Sequence, residues 1–119
     1  MKENIIRDKS YSFALRIVRL YKYLVEDKKE YVLSKQVLRS GTSIGANVEE
    51  AIGGQSEKDF FAKLTVAYKE ARETRYWLRI LIDSGYLEYK FAESLLLECE
   101  EICKIIGKIQ TTLKNKYNL

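Results

Sequence analysis

Hydrophobic residues recur along this chain every three or four positions, which is the period of one face of an α-helix. Two segments keep this period without interruption. In residues 56–84 the apolar stripe consists of Phe60, Leu64, Ala67, Ala71, Thr74, Leu78 and Leu81. In residues 88–116 it consists of Ala92, Leu95, Cys99, Ile102, Ile106, Ile109 and Leu113. Each segment is therefore predicted to be a helix that buries one stripe against its neighbours.

The first helical segment, about residues 8–27, has an unusually wide apolar face. One stripe consists of Phe13, Ile17, Leu20 and Leu24, and a second stripe beside it consists of Ala14, Val18, Tyr21 and Val25. Because one neighbour cannot cover both stripes, the helix is predicted to lie between two partners or at a subunit interface. The candidate N-caps are Asp8, Ser10 and Ser12, and the charged residues 26–30 are predicted to lead out of the helix.

The second segment, about residues 31–53, contains two glycines that weaken the prediction of a helix. Gly41 and Gly45 each cost roughly 1 kcal/mol relative to alanine in a helix interior. The helical period is nevertheless kept by Leu33, Val37, Ser40, Ile44, Val48 and Ala51. A continuous helix is the favoured interpretation, and a break at residues 40–42 is the alternative. In a continuous helix, the small residues around Gly41 would let a neighbouring backbone approach closely.

Turn residues separate the four segments and leave only short connections. Gly53 and Gly54 are predicted to end the second helix through a left-handed cap, and Ser56 to cap the third. Residues 83–85 are predicted to end the third helix. The chain has 119 residues and no proline, which suits one domain of long helices. The prediction is an all-α, up-down-up-down four-helix bundle in a single domain, residues 1–119, with helices at about 8–27, 31–53, 56–84 and 88–116.

The positive charge of the chain is concentrated near its beginning. The formal net charge is +4, and residues 1–30 contain eight basic and five acidic side chains. Arg16, Arg19 and Lys22 follow one another at three-residue spacing, so they lie along one side of the first helix. They are the candidate nucleic-acid-binding residues, since lysine and arginine neutralise phosphates. The alternative is that the basic excess only confers solubility.

Residues that commonly carry catalysis or bind cofactors are sparse. The sequence has no histidine, no nucleophile-elbow motif and no phosphate-binding loop. The two cysteines, Cys99 and Cys103, lie four residues apart and are predicted to be reduced, packed thiols without a metal. We therefore expect no enzyme, no cofactor and no metal. Residues 1–12 lack the apolar run of a signal peptide, and no stretch reaches transmembrane length, so a cytoplasmic protein without a membrane partner is expected.

A polar stripe follows the apolar one along the second helix. It consists of Arg39, Ser43, Asn47 and Glu50. One interpretation is a ligand or partner site. The favoured interpretation is a buried or half-buried hydrogen-bonded network that fixes the register of the helices.

The register of the second and third helices can be approximated from the turn between them. If the chain turns at residues 54–55, positions whose numbers sum to about 109 lie opposite one another. Arg39 should then face Glu70 and Glu73, while Asn47 should face residues 62 and 63. We expect Arg39 to be mostly buried within reach of one of these carboxylates, since a lone buried guanidinium would be prohibitive. The predicted polar core network is thus Arg39, Ser43, Asn47, Glu50, Glu70 and Glu73.

Several stretches of this sequence resemble the four-helix-bundle proteins of the 23S rRNA intervening-sequence family. They are residues 38–51 (LRSGTSIGANVEEA), 56–61 (SEKDFF), 67–70 (AYKE) and 76–78 (YWL). The resemblance assigns the polar core of the family to Arg39, Ser40, Ser43, Asn47, Glu50 and Glu73, with Ser56 as a helix cap and Phe60 as a core anchor. Two departures, Gly45 where many members have proline and Ala51 where many have glycine, remove no polar group.

The resemblance also carries expectations about assembly and partners. It implies a homo-oligomer, with a pentameric ring as the expected form, and association with RNA or a nucleoprotein. A similar fold in the accessory protein of diversity-generating retroelements implies a reverse-transcriptase-like partner. The resemblance supplies no reaction. The alternative function is a purely structural or scaffolding oligomer with no nucleic-acid role. Independently of the family, aromatic residues that lie off the main stripe of each helix favour an oligomer; they are Tyr21, Tyr68 and Trp77.

Overall fold

Four long helices make up the protein. The structure is a computed structural model that describes residues 2–117, with side chains from residue 5 onward. The helices are α1 (Lys2–Glu26), α2 (Leu33–Ile52), α3 (Glu57–Asp83) and α4 (Tyr89–Tyr117). Each helix packs on the next one, and α4 also contacts α1, so that the four close into an elongated bundle of 47 × 21 × 21 Å. The predicted all-α four-helix bundle is confirmed.

The predicted apolar stripes form the core of the bundle. On α3 and α4 every member of the stripe is buried except Phe60, which is half-buried. On α1 the first stripe is buried, whereas the second stripe is only half-buried. The wide face of α1 therefore fills the core with one stripe and leaves the other partly open to solvent.

The start of α1 differs from the predicted start. The helix already includes Lys2, so Asp8, Ser10 and Ser12 are interior positions and the prediction that one of them is the N-cap is wrong. Ile6 is only 1% exposed and continues the buried stripe toward the beginning of the helix. Ser10 occupies the next stripe position, where it is buried and its hydroxyl donates to the carbonyl of Arg7. A serine in the stripe interrupts the apolar pattern, which explains the late predicted start.

Glu30 caps the beginning of α2 from within the connection. Its carboxylate accepts hydrogen bonds from the backbone N–H groups of Val32, Leu33 and Ser34 at 3.2, 3.0 and 2.6 Å. Its side chain is only 8% exposed. Burial by itself raises the pKa of Glu30, but these hydrogen bonds outweigh it, so the pKa lies below the usual value. The sequence predicted only a charged connection at residues 26–30, so this cap is an addition from the structure.

Helix α2 is continuous, so the alternative of a break at residues 40–42 is wrong. Its glycines lie where α1 crosses it. A Cβ atom at Gly41 would lie 2.8 Å from both Cγ atoms of Ile17, and one at Gly45 would lie 3.3 Å from the carbonyl oxygen of Ser10. The small residues therefore permit the close helix approach that the sequence predicted.

The two later connections use glycine in different ways. Gly53 ends α2 with φ −82°, so the predicted left-handed cap at Gly53 and Gly54 is wrong. A Cβ atom at Gly54 would lie only 3.0 Å from the carbonyl oxygen of Ala51, so glycine leaves room here for the close approach of the two backbone segments. Ser56 accepts from the N–H of Asp59 at 3.1 Å, as predicted for a cap. The left-handed residue is Gly85 (φ +88°), which ends α3 in a Schellman motif.

Candidate functional site

Three contacts fix the register between α2 and α3. Ser40 meets Thr74, Glu50 meets Lys63, and Arg39 meets Glu73. The paired numbers sum to 112–114 and not to the predicted 109, a shift of about one helical turn. The reason lies in the connection, where the chain doubles back so that a Cβ atom at Gly54 would lie 3.3 Å from the Cβ of Asp59. A shift of one turn keeps the same faces together.

Arg39 has the acidic partners that the sequence predicted. Its guanidinium lies 3.3 Å from the carboxylate of Glu73 and 4.0 Å from that of Glu70. The prediction that Arg39 is mostly buried is wrong, because its side chain is 61% exposed in the single chain. The interior at this level is occupied by Ser40 and Thr74, so the long arginine side chain lies along the outer edge of the α2–α3 contact.

The other members of the polar stripe do not form a connected buried network. The hydroxyl of Ser43 donates to the carbonyl of Arg39 at 2.6 Å, and the amide of Asn47 donates to the carbonyl of Ser43 at 2.8 Å. Glu50 pairs with Lys63 at 2.8 Å, and this hydrogen bond raises the pKa of Lys63. Ser43 and Asn47 thus bond within their own helix, while Arg39 and Glu50 each bridge to α3. The side chains predicted to form a polar core therefore lie at the edge of the α2–α3 contact, where they form ion pairs and local hydrogen bonds.

The buried polar contact between α2 and α3 is a pair of hydroxyl groups. Ser40 and Thr74 are both fully buried, and their hydroxyl oxygens lie 2.9 Å apart. The Thr74 hydroxyl also lies 2.7 Å from the carbonyl oxygen of Glu70. Both residues occupy predicted stripe positions on facing helices, and this is the feature of the sequence that could have predicted their contact. Because each hydroxyl finds a partner, the pair stabilises one register at little cost.

The three candidate nucleic-acid-binding residues are in unequal surroundings. Arg16 forms an ion pair with Glu98 on α4 and donates to the hydroxyl of Ser94 at 2.7 Å. Arg19 and Lys22 are exposed and have no carboxylate partner within the described part of the chain. Two of the three positive charges are therefore available to an external anion.

A second basic cluster, which sequence analysis missed, lies between α3 and α4. Arg72, Arg75 and Lys104 line a cleft of about 460 Å³ together with Cys103. Arg75 is held by Glu100 at 2.9 Å, whereas Arg72 and Lys104 are exposed. Arg72 and Arg75 lie three positions apart on α3, and the α3–α4 register adds Lys104 to them. The cluster adds a second surface on which phosphates could bind.

The two cysteines are free thiols with different surroundings. Cys99 is buried and donates to the carbonyl of Ala71 at 3.2 Å, while Cys103 is half-buried. The neighbouring thiol of Cys103 raises the pKa of Cys99, and burial raises it further. The thiol of Cys99 lowers the pKa of Cys103, as do the nearby Arg72 and Arg75, while partial burial opposes this shift. Cys103 is therefore the more nucleophilic thiol.

Two other kinds of site are absent from the part of the chain that the structure describes. Within residues 5–117, histidine, cysteine and acidic side chains do not gather in groups of three or more that could hold a metal ion. Of the helices in the part of the chain described, none is both long enough and apolar enough to cross a membrane.

Comparisons with known proteins agree on one family. The model of the family described as 23S rRNA-intervening sequence protein matches residues 2–108. A crystal structure of a protein of unknown function, from the S23 ribosomal protein family of Bacteroides thetaiotaomicron, is similar to this chain with a TM-score of 0.91 and 52% sequence identity. The match covers 93% of this chain and 99% of that one. No curated protein matches the chain.

Proposed function

Because the chain belongs to the 23S rRNA-intervening sequence protein family, we propose that it is a non-enzymatic, homo-oligomeric bundle that binds RNA through its basic surface. The observation that carries this proposal is the pair of exposed cations Arg19 and Lys22, which lack a carboxylate partner in the described part of the chain. A reverse-transcriptase-like nucleoprotein is the other partner we propose, and RNA is the component of it that the cations would contact. The proposed location is the cytoplasm, where free thiols stay reduced.

The proposed interaction is electrostatic and weakly selective. A small positive charge on each chain is repeated around an oligomer, and repetition raises affinity without new contacts. Phosphate contacts release counterions, so the affinity for RNA should fall steeply with salt. Fluorescence anisotropy with a labelled, structured RNA between ~50 and ~200 mM salt measures this dependence.

The variant that tests the surface is Arg19→Glu/Lys22→Glu. Arg16 is left unchanged, because a glutamate there would face Glu98 and disturb the α1–α4 contact. The matched control is Lys35→Glu/Lys58→Glu, which changes the net charge equally at exposed positions of other elements. We expect the first variant to weaken RNA binding at least ~10-fold and the control to weaken it much less. Absence of binding by the unchanged protein at ~50 mM salt would favour a scaffolding oligomer instead.

The proposed assembly is supported by apolar side chains left on the surface of the single chain. Large hydrophobic residues that are more than half exposed occur on α1 and α4; examples are Tyr11 and Leu97. Apolar surface of this kind can contribute to a subunit interface. Light scattering should give a mass well above the 13.9 kDa of one chain, and about 70 kDa for a ring of five. A constant mass near 14 kDa at all concentrations would exclude the oligomer, and a dimer or tetramer would exclude only the ring.

A further inference from the structure

A groove of about 440 Å³ opens between α1 and α4, at the bundle end that carries the α1–α2 and α3–α4 connections. Its apolar lining includes the buried residues Leu20, Leu87 and Leu95. Two aromatic residues also line it, Tyr23 at 40% exposure and Phe91 at 74%. Its volume lies within the range of about 300–1,000 Å³ that is typical of small-molecule sites.

The charges that line the groove are predominantly positive. Arg19 and Lys28 are exposed and form no ion pair within residues 5–117, while Glu88 supplies one negative charge. The charge of Arg16, which also lines the groove, is neutralised by Glu98. The balance is thus one positive charge in excess. An occupant with a single negative charge would complement it.

We propose that this α1–α4 groove binds a small amphiphilic carboxylate, with its apolar body along Leu20 and Leu95 and its carboxylate toward Arg19 and Lys28. The apolar body would cover Phe91, whose ring is otherwise the most exposed of the large hydrophobic side chains described. The carboxylate would pair its negative charge with these two cations, which a neutral alcohol cannot do. The groove shares Arg19 with the basic surface proposed for RNA, whereas Lys28 lines only the groove.

Titration calorimetry with three C10 probes tests the proposal: decanoate, decanol and decyltrimethylammonium. We expect decanoate to bind once per chain, and at least ~10-fold more tightly than either of the other two probes. Lys28→Gln should weaken decanoate binding roughly 5-fold or more, whereas Lys90→Gln, a change at an exposed lysine outside the groove, should leave it within 2-fold.

A second pair of variants tests the apolar part of the site. Phe91→Ser should weaken decanoate binding about 10-fold, because it removes most of the exposed apolar wall. Tyr89→Ser, at an exposed aromatic residue outside the groove, should leave binding within 2-fold. Circular dichroism of each variant should match that of the unchanged protein, since both positions are mainly exposed.

Several outcomes would overturn the proposal. These are the absence of saturable binding of decanoate at 1 mM, equal binding of the cationic probe, and equal effects of the groove and control variants. If Phe91→Ser separates the subunits and decanoate binds neither form, the groove is a subunit interface and the proposal is wrong. RNA binding by Lys28→Gln is measured in parallel. Loss of decanoate binding by Lys28→Gln with RNA binding retained would support the proposal, because Lys28 belongs to the groove and not to the RNA-binding surface.

Discussion

Substitution of Gly41 by alanine tests whether the close approach of α1 and α2 is as tight as the structure indicates. The added Cβ would lie 2.8 Å from both Cγ atoms of Ile17, well inside the 3.5–4.0 Å at which carbon atoms attract one another. Ile17 is fully buried and β-branched, so it cannot turn away within a helix. Overpacking of this kind costs about 1–3 kcal/mol.

The expected result is a net loss of stability. Alanine gains about 1 kcal/mol over glycine in a helix interior, which offsets part of the clash. Gly41→Ala should therefore lower the free energy of unfolding by up to about 2 kcal/mol. Gly107→Ala is the matched control, because a Cβ there would meet only the ring of Tyr68, at 3.8 Å. It should raise the free energy of unfolding by about 0.5–1 kcal/mol.

Urea unfolding followed by circular dichroism measures both changes, at one fixed protein concentration because the protein is expected to be an oligomer. A double variant with Ile17→Ala separates the clash from the helix propensity, since it removes both Cγ atoms. In that background Gly41→Ala should become stabilising. If Gly41→Ala stabilises the unchanged protein as much as Gly107→Ala does, the close approach at Ile17 is wrong.

Three further predictions concern the ends of helices and the thiols. Glu30→Gln should lower the free energy of unfolding by about 1–2 kcal/mol at pH 7. The pKa of Glu30 is lowered in the folded state, so the carboxylate stabilises the fold at pH values above its usual pKa of 4.5. This stabilisation disappears as the pH falls through the folded-state pKa. The free energies of unfolding of the two proteins, measured in urea, should therefore converge at low pH. Lys29 has a left-handed backbone with φ 57°, so Lys29→Gly should raise the free energy of unfolding by about 0.5–1 kcal/mol, measured by thermal unfolding. A lower free energy of unfolding would contradict the left-handed backbone. Iodoacetamide should alkylate Cys103 much faster than Cys99 at pH 7.5 by peptide mass spectrometry, and equal rates would contradict their different pKa values.

The core could be predicted from the sequence because a helix repeats its contacts. Each stripe position, from Leu64 to Leu81 on α3 for example, follows from its neighbours at three- and four-residue spacing. A polar stripe member breaks the prediction, as Ser10 did near the start of α1. Glu30 escaped prediction because it caps from outside the helix and belongs to a residue type that is not a usual N-cap.

The candidate site was less predictable, because it depends on how deeply a helix flank is buried. The short α2–α3 connection was sufficient to place Arg39 near Glu70 and Glu73, but the depth of the guanidinium depends on the neighbouring Ser40 and Thr74. The pairing of Arg16 with Glu98 could not be predicted, since no connection fixes the register of α1 against α4. The cluster around Arg72 was missed because Lys104 joins Arg72 and Arg75 only through the α3–α4 register.

The contact between α1 and α4 has a consequence for how the chain acquires its structure. Three neighbouring helix pairs are joined by short connections, whereas the ion pairs Lys9–Glu101 and Arg16–Glu98 join residues more than eighty positions apart. Closure of so long a loop carries the largest entropic cost, so we expect it to be the last step of folding. During synthesis on the ribosome, part of the wide apolar face of α1 would stay uncovered until α4 has been synthesised. A second nascent copy of the chain could cover that face first, which would couple assembly to synthesis.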